Sequence, residues 1–124
     1  MAHPNKAKGT RAEYAVAKYL ASNGHPRAAR SRSGWADDRG DIEGVANLTV
    51  EVKDQRRYDL SEWVKELAVE QRNNGTEHGT VVLKKRQSSD VGEWYAIMPM
   101  TEFIKLFNKI PKHASPYNTD LYSD

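Results

Sequence analysis

The sequence predicts an α/β or α+β sandwich, a mixed β-sheet flanked by helices in the order α-β-β-β-α-β-β-α. Two segments, near 11–23 and 60–71, repeat apolar residues at helical spacing, and short runs rich in β-branched residues lie between and after them. A chain of 124 residues fits one domain, large enough to bury a core and too small for two ordinary ones.

In chain order, residues 1–9, with His3, Lys6 and Lys8, read as a mobile basic arm. From Arg11 to about Asn23 the stripe Ala12, Ala15, Val16, Tyr19 and Leu20 predicts a helix, capped by Gly9 or Thr10 and stopped by Gly24 before His25-Pro26. Residues 27–33 are weakly strand-like, and "GWADDRG" is a turn-rich loop. Two strands follow, at roughly 41–45 and 48–54. A second helix has the face Leu60, Trp63, Val64, Leu67, Ala68 and Gln71, opened by Asp59 or Ser61 and closed by Gly75. "GTVVLKKR" and "EWYAIM" predict a hairpin around "QSSDVG". Thr101 can cap a last helix carrying Phe103, Ile104, Phe107 and Ile110, ended by Pro111. The expected organisation is a basic arm over 1–9, one domain over 10–111 and a polar tail over 112–124.

Composition narrows the chemistry. Hydrophobic residues at 38% and charged residues at 29% suit a folded domain and not a disordered chain. The absence of cysteine excludes disulfides, thiolate nucleophiles and Cys-based zinc or iron–sulfur sites, so any metal is held by oxygen or histidine. His3, His25, His78 and His113 show no ligand spacing, and no Gly-rich motif cradles a phosphate, which argues against zinc chemistry and a nucleotide cofactor. With no apolar run of membrane-spanning length and no signal-peptide core, a cytoplasmic location is the default expectation. The net charge of +2 is unevenly distributed. Residues 1–57 hold eleven Lys and Arg against seven Asp and Glu, a net +4, whereas residues 58–124 hold eight against ten, a net −2. A basic N-terminal half suits a polyanion.

The stretch "GDIEGVANLTVEVKD" (40–54) puts carboxylates and an amine on strands that otherwise pack Val and Ile. Side chains alternate along a strand, so Leu48, Val50 and Val52 share one face while Thr49, Glu51 and Lys53 share the other. A two-residue loop at Ala46-Asn47 would set Asp41 opposite Val52, on the wrong face. A register one residue away, with three loop residues or a bulge, sets Asp41 opposite Glu51, and this is the register expected. Two carboxylates about 4 Å apart repel by roughly 4 kcal/mol at an effective dielectric near 20. A hard divalent cation with oxygen ligands offsets that repulsion and can activate a water, with Lys53 beside it to position the hydroxide or stabilise charge on a phosphate. Glu13 lies on the inward side of the first helix, with Val16, Ala17 and Leu20, and is a third candidate ligand. Pattern alone leaves the bland alternatives standing. Asp after Gly40 is often a turn residue, Glu-X-Lys is often a solvated ion pair, and Glu13 at the edge of an apolar face is often a surface residue.

Asp41 followed by Glu51-Val52-Lys53 resembles the PD-(D/E)XK nuclease superfamily, and within it the chain looks most like the archaeal-type Holliday junction resolvases. The likeness runs over about residues 6–90: Gly9 and Glu13 in "KGTRAEYAVAKYLASNG", Arg30, Ser31 and Ser33 in "RSRSG", then "RGDIEG" and "VEVKD". Asp41 lacks the preceding Pro of the superfamily's name, and "GWADDRG" matches no particular resolvase. The resemblance implies a restriction-endonuclease-like core and a homodimer that uses Mg²⁺ or Mn²⁺ to hydrolyse DNA phosphodiesters at four-way junctions. The same core could serve flaps, mismatches or duplex ends, and a non-catalytic DNA-binding module is the reading of a different class. By carry-over, Glu13, Asp41 and Glu51 bind metal, Lys53 orients the attacking water, and Gln71 is a supporting polar residue.

Lys8, Arg11, Arg30, Arg32, Arg39, Arg56 and Arg57, with Ser31 and Ser33, flank this set and are candidate DNA contacts. Lys84, Lys85 and Arg86 form the densest basic run, suited either to DNA or to blunting an edge strand. Trp63 belongs to the core, Trp94 suits a strand or a dimer surface, and Trp35 in its Gly-flanked loop could stack on an unpaired base.

Overall fold

The computed structural model describes residues 4–32 and 38–111. Ser33, Trp35, His3 and the 112–124 tail lie outside the described residues. The elements are α1 (Pro4–Ser22), β1 (Ala29–Arg30), β2 (Ile42–Glu43), β3 (Leu48–Lys53), α2 (Leu60–Asn74), β4 (His78–Leu83), a 3-10 turn (Val91–Glu93), β5 (Tyr95–Ile97) and α3 (Met100–Asn108). This is an α/β fold built on one open mixed sheet, ordered β1-β2-β3-β4-β5 and flanked by helices. All pairings are antiparallel except β3 with β4, which are parallel because α2 carries the chain back across the sheet. The "GTVVLKKR"/"EWYAIM" hairpin is present as β4 and β5, with Val82 opposite Ala96.

The first helix is longer than its apolar stripe. It starts at Pro4, not near residue 11, so residues 4–9 are helical and not a loose arm. Proline suits the first helical position, where its missing N–H would be unpaired anyway, and Lys and Ala propagate the helix. Ala12, Val16 and Ala17 pack against Ile42, Val50, Val52 and Trp94 on one side of the sheet, while Tyr19 turns outward. The second helix starts and stops as expected. Asp59 accepts the Glu62 N–H at one end, and Gly75 takes a left-handed conformation at the other. Its buried face is rotated from the expected stripe. Trp63, Leu67 and Glu70 face inward, and Leu60, Ala68 and Val69 face out. Trp63 and Leu67 pack on Val81 and Leu83 across the other side of the sheet.

β1 and β2 are shorter than predicted, two residues each. Gly44 sits at a φ of +84° with the Arg27 carbonyl where a Cβ would stand, so the chain must turn tightly there and cannot extend the ladder. α3 begins at Met100, with Pro99 at the cap and not Thr101. Its apolar stripe faces outward, with Phe103, Ile104, Phe107 and Ile110 all exposed, and its buried residue is Glu102. Trp94 is buried against α1, its indole N–H donating to the Ser88 carbonyl at 3.0 Å, so Tyr95 alone of that pair reaches the surface. Lys84, Lys85 and Arg86 follow β4, a central strand, and therefore do not blunt an edge. Among the described residues no helix is long and apolar enough to cross a membrane.

Candidate active site

Ile42 pairs with Val50, which sets Asp41 opposite Glu51 and leaves three residues, Val45 to Asn47, in the turn. Asn47 adopts a φ of +60° there, a conformation Asn tolerates. This is the register that brings both carboxylates to one face. The Asp41 N–H donates to the Val50 carbonyl at 2.8 Å, and the Ser31 N–H donates to the Asp41 carbonyl at 2.9 Å. Because β2 begins only at Ile42, it leaves the Val52 N–H of β3 unpaired, and the Asp41 Oδ2 accepts it at 2.8 Å. The parting of β2 from β3 opens a cleft of about 600 Å³. Lys8, Glu13, Asp41, Glu51, Lys53, Gln55 and Arg56 are among the residues that line it.

Glu51 is 93% buried, and its Oε2 lies 3.7 Å from Lys53 Nζ. Lys53 also donates to Glu66 Oε2 at 3.1 Å, and its ammonium lies 5.8 Å from the centre of the Trp63 ring. Glu13 reaches the cleft wall, but its Oε1 is taken by Arg30 Nε at 2.6 Å, with Arg30 in turn 5.5 Å from the Tyr14 ring. Arg30 is therefore bound to Glu13 instead of standing free for a phosphate.

Sequence reasoning missed two acidic residues. Glu66 and Glu70 stand four apart on α2 and join the cluster at Glu51. Glu51, Glu66 and Glu70 each offer an oxygen, and these atoms all lie within 4.8 Å of one another, an arrangement that could hold a metal ion. Glu70 is 98% buried. The signal was available, since Trp63, Leu67 and Glu70 fall at spacings of zero, four and seven, the same inward stripe. Gln71, the supporting candidate, is one position off. Its side chain fills the space left by the missing Cβ of Gly79, and its carbonyl accepts the Gly75 and Thr76 N–H groups. It closes the helix end and does not line the cleft.

The electrostatics follow from burial. Asp41 is pushed up to about 9, first by burial and then by the charge of Glu51, against the Val52 N–H that favours its ionised form. Burial raises Glu51 to about 8, with Glu70 adding to the rise and Lys53 opposing it. Glu70 is raised to about 7, again first by burial, with Asp38, Asp41 and Glu66 adding their charge. Burial works against the Lys53 ammonium, but the bond to Glu66 and the charges of Glu51, Glu66 and Asp41 outweigh it and hold Lys53 above the ordinary lysine range. One ammonium serves several carboxylates. No donor among the described residues reaches Glu51 Oε1 or Glu70 Oε2.

The remaining candidate contacts are distributed around the cleft. Lys8 and Lys84 approach Asp54 at 3.5 and 3.9 Å. Arg11 is exposed, and beside Lys8 it lines a second hollow of about 350 Å³. Arg56 lines the cleft and Arg57 is exposed next to it. Arg32 pairs with Glu43 at 3.4 Å, and Arg39 is half-buried in the segment that leads to Asp41.

No protein-family model, no curated protein and no solved structure matches this chain.

Proposed function

We propose that this protein is a metal-dependent endonuclease with a restriction-endonuclease-like core, hydrolysing DNA phosphodiesters at four-way junctions. The observation that carries this reading is the pairing of Asp41 with Glu51 across β2 and β3, with Lys53 on the same face, at the mouth of a cleft with basic residues at its rim. The donor set fits Mg²⁺ or Mn²⁺, because it is all oxygen and Glu51 Oε1 is buried with no N–H or O–H reaching it, a hard ligand in need of a cation. Asp41 and Glu51 would hold it, with Glu13 at the cleft wall within reach once it leaves Arg30. When bound, such an ion supplies Lewis-acid polarisation of the phosphate and a water of lowered pKa.

The chain's own groups account for the rest. The Val52 N–H fixes one oxygen of Asp41, so that carboxylate is oriented before substrate arrives. Lys53, charged and packed beside Trp63, presents a fixed positive charge to the phosphate oxygens as the water oxygen bonds to phosphorus and the ester P–O bond breaks. Lys8, Arg11, Arg56 and Arg57, in and around the cleft, are assigned to the flanking backbone phosphates, where they would set the register of the duplex arm. Symmetric nicks in opposing strands need two such sites related by a two-fold axis. The outward face of α3, where Met100, Phe103, Ile104, Phe107 and Ile110 are exposed together and Phe103 stacks on Phe107, is the surface assigned to a second copy of this chain.

The test is incubation with labelled four-way junction and with linear duplex, in Mg²⁺ and in EDTA. Paired, symmetric, Mg²⁺-dependent nicks on the junction are expected. Cutting of duplex alone would shift the substrate, and binding without cutting in any divalent metal would leave a non-catalytic DNA-binding module.

A further inference from the structure

We propose that Glu51, Glu66 and Glu70 form a second divalent-cation site on the α2 side of the cluster, sharing Glu51 with the ion assigned to Asp41. It rests on the nuclease reading for Glu51 and adds two side chains that the reading does not use. Glu66 and Glu70 belong to α2, away from the hairpin, and their approach to Glu51 within 4.8 Å provides three oxygen ligands from two elements. Proximity of acidic groups is a common surface accident, but Glu70 is not at the surface. It is 98% buried on the same stripe as Trp63 and Leu67, where an apolar side chain would ordinarily pack. One of its oxygens meets those of Glu51 and Glu66, and its Oε2 is buried with no donor among the described residues. A buried ionised carboxylate without a partner is far more costly to the fold than a leucine in its place.

Lys53 does not remove that cost. Its ammonium is committed to Glu66 at 3.1 Å and lies 3.7 Å from Glu51, and no contact with Glu70 is made. Among the described residues, Glu70 thus has no cation as a partner. A hard cation such as Mg²⁺ or Mn²⁺ matches all-oxygen ligands and retains waters for the positions that protein does not fill.

Mn²⁺ counted by the loss of its free-ion electron paramagnetic resonance signal tests this directly on the full chain. Wild type is expected to bind two ions. Glu70→Gln, nearly isosteric, should lose one of them, and Glu66→Gln, at a half-exposed position that does not threaten folding, should weaken the same ion by at least about ten-fold, since even groups behind the ligands cost that much. Asp41→Asn should lose the other ion and keep this one. Unchanged Mn²⁺ stoichiometry and affinity in both Glu66→Gln and Glu70→Gln would overturn the proposal, leaving a proton shared between the carboxyls in place of the ion. The two readings separate cleanly. Two ions with no junction cutting sinks the nuclease reading alone, whereas cutting with a single ion indifferent to both glutamine variants sinks the second site alone.

Discussion

Among the described residues, carboxylates are buried in two places that are treated oppositely. At the start of β4, Glu102 of α3 accepts a 2.6 Å hydrogen bond from His78 Nδ1, and Lys109 donates to His78 Nε2 at 2.8 Å. Lysine has only protons to give, so the ring accepts at Nε2 and carries its proton at Nδ1, and each group has a partner. Lys109 closes the set by pairing with Glu77 at 3.0 Å. At the fork of β2 and β3, Glu51 and Glu70 are just as deep, yet an oxygen of each has no donor. A satisfied buried pair fixes a helix to a sheet. A cluster with one ammonium among several carboxylates has no such structural return, and its cost is most simply understood as a site that a ligand completes.

That contrast fixes the expected effects of breaking each region. The largest lies at the fork: Asp41→Asn or Glu51→Gln should slow junction cleavage by at least about 10²–10³-fold, the scale of losing one transition-state charge partner, while DNA binding is retained because less negative charge faces the phosphates. A quantitative nicking assay beside a gel-shift titration separates the two. Lys53→Ala should slow cleavage by a similar factor with Mn²⁺ still bound, and an unchanged rate would remove Lys53 from the chemistry.

The next effect is on stability and pH. Asp41, Glu51 and Glu70 are raised in the folded state above their ordinary carboxylate values. The fold therefore holds protons that the unfolded chain releases, and the stabilisation is complete below pH 4 and lost as pH rises towards 9. Thermal melts in EDTA should show Tm falling from pH 5 to pH 9, and Mg²⁺ should flatten that slope by binding the ionised form. A slope of the same sign and size in Mg²⁺ would show that the ion does not bind these groups.

Smaller effects should differ in sign between the two regions. Glu102→Ala leaves His78 buried without its acceptor and should cost about 1–3 kcal/mol, a clear drop in Tm. Glu70→Gln in EDTA at pH 8 removes a buried charge that has no donor, and should leave Tm unchanged or raised. The smallest effect on the fold comes from Phe103→Asp with Phe107→Asp. On the exposed face of α3 these should split the proposed dimer in light scattering while leaving the melt of each copy nearly intact.

The sequence was most legible where one periodicity decides the answer. Alternation in "LTVEVK" and the required pairing of Asp41 with Glu51 were enough to choose the β2–β3 register, and Asp59 and Gly75 marked both ends of α2 by their capping chemistry. Legibility failed where tertiary packing overrides pattern. The apolar stripe of α3 looks like a core face, yet the inward position goes to Glu102 because His78 waits for it across the sheet. Glu70 shares the inward stripe of Trp63 and Leu67, but only the fold reveals that this stripe brings its carboxylate to Glu51. The basic start of α1 reads as an arm because charge obscures a helix that Pro4 and alanine support.

Cleavage of a labelled four-way junction by wild type and Glu51→Gln, with Mg²⁺ added back after EDTA, tests the central claim most directly. Paired nicks that appear only with Mg²⁺, and only in wild type, are the predicted result. Equal cutting by the two proteins, or Mg²⁺-independent cutting, would contradict it.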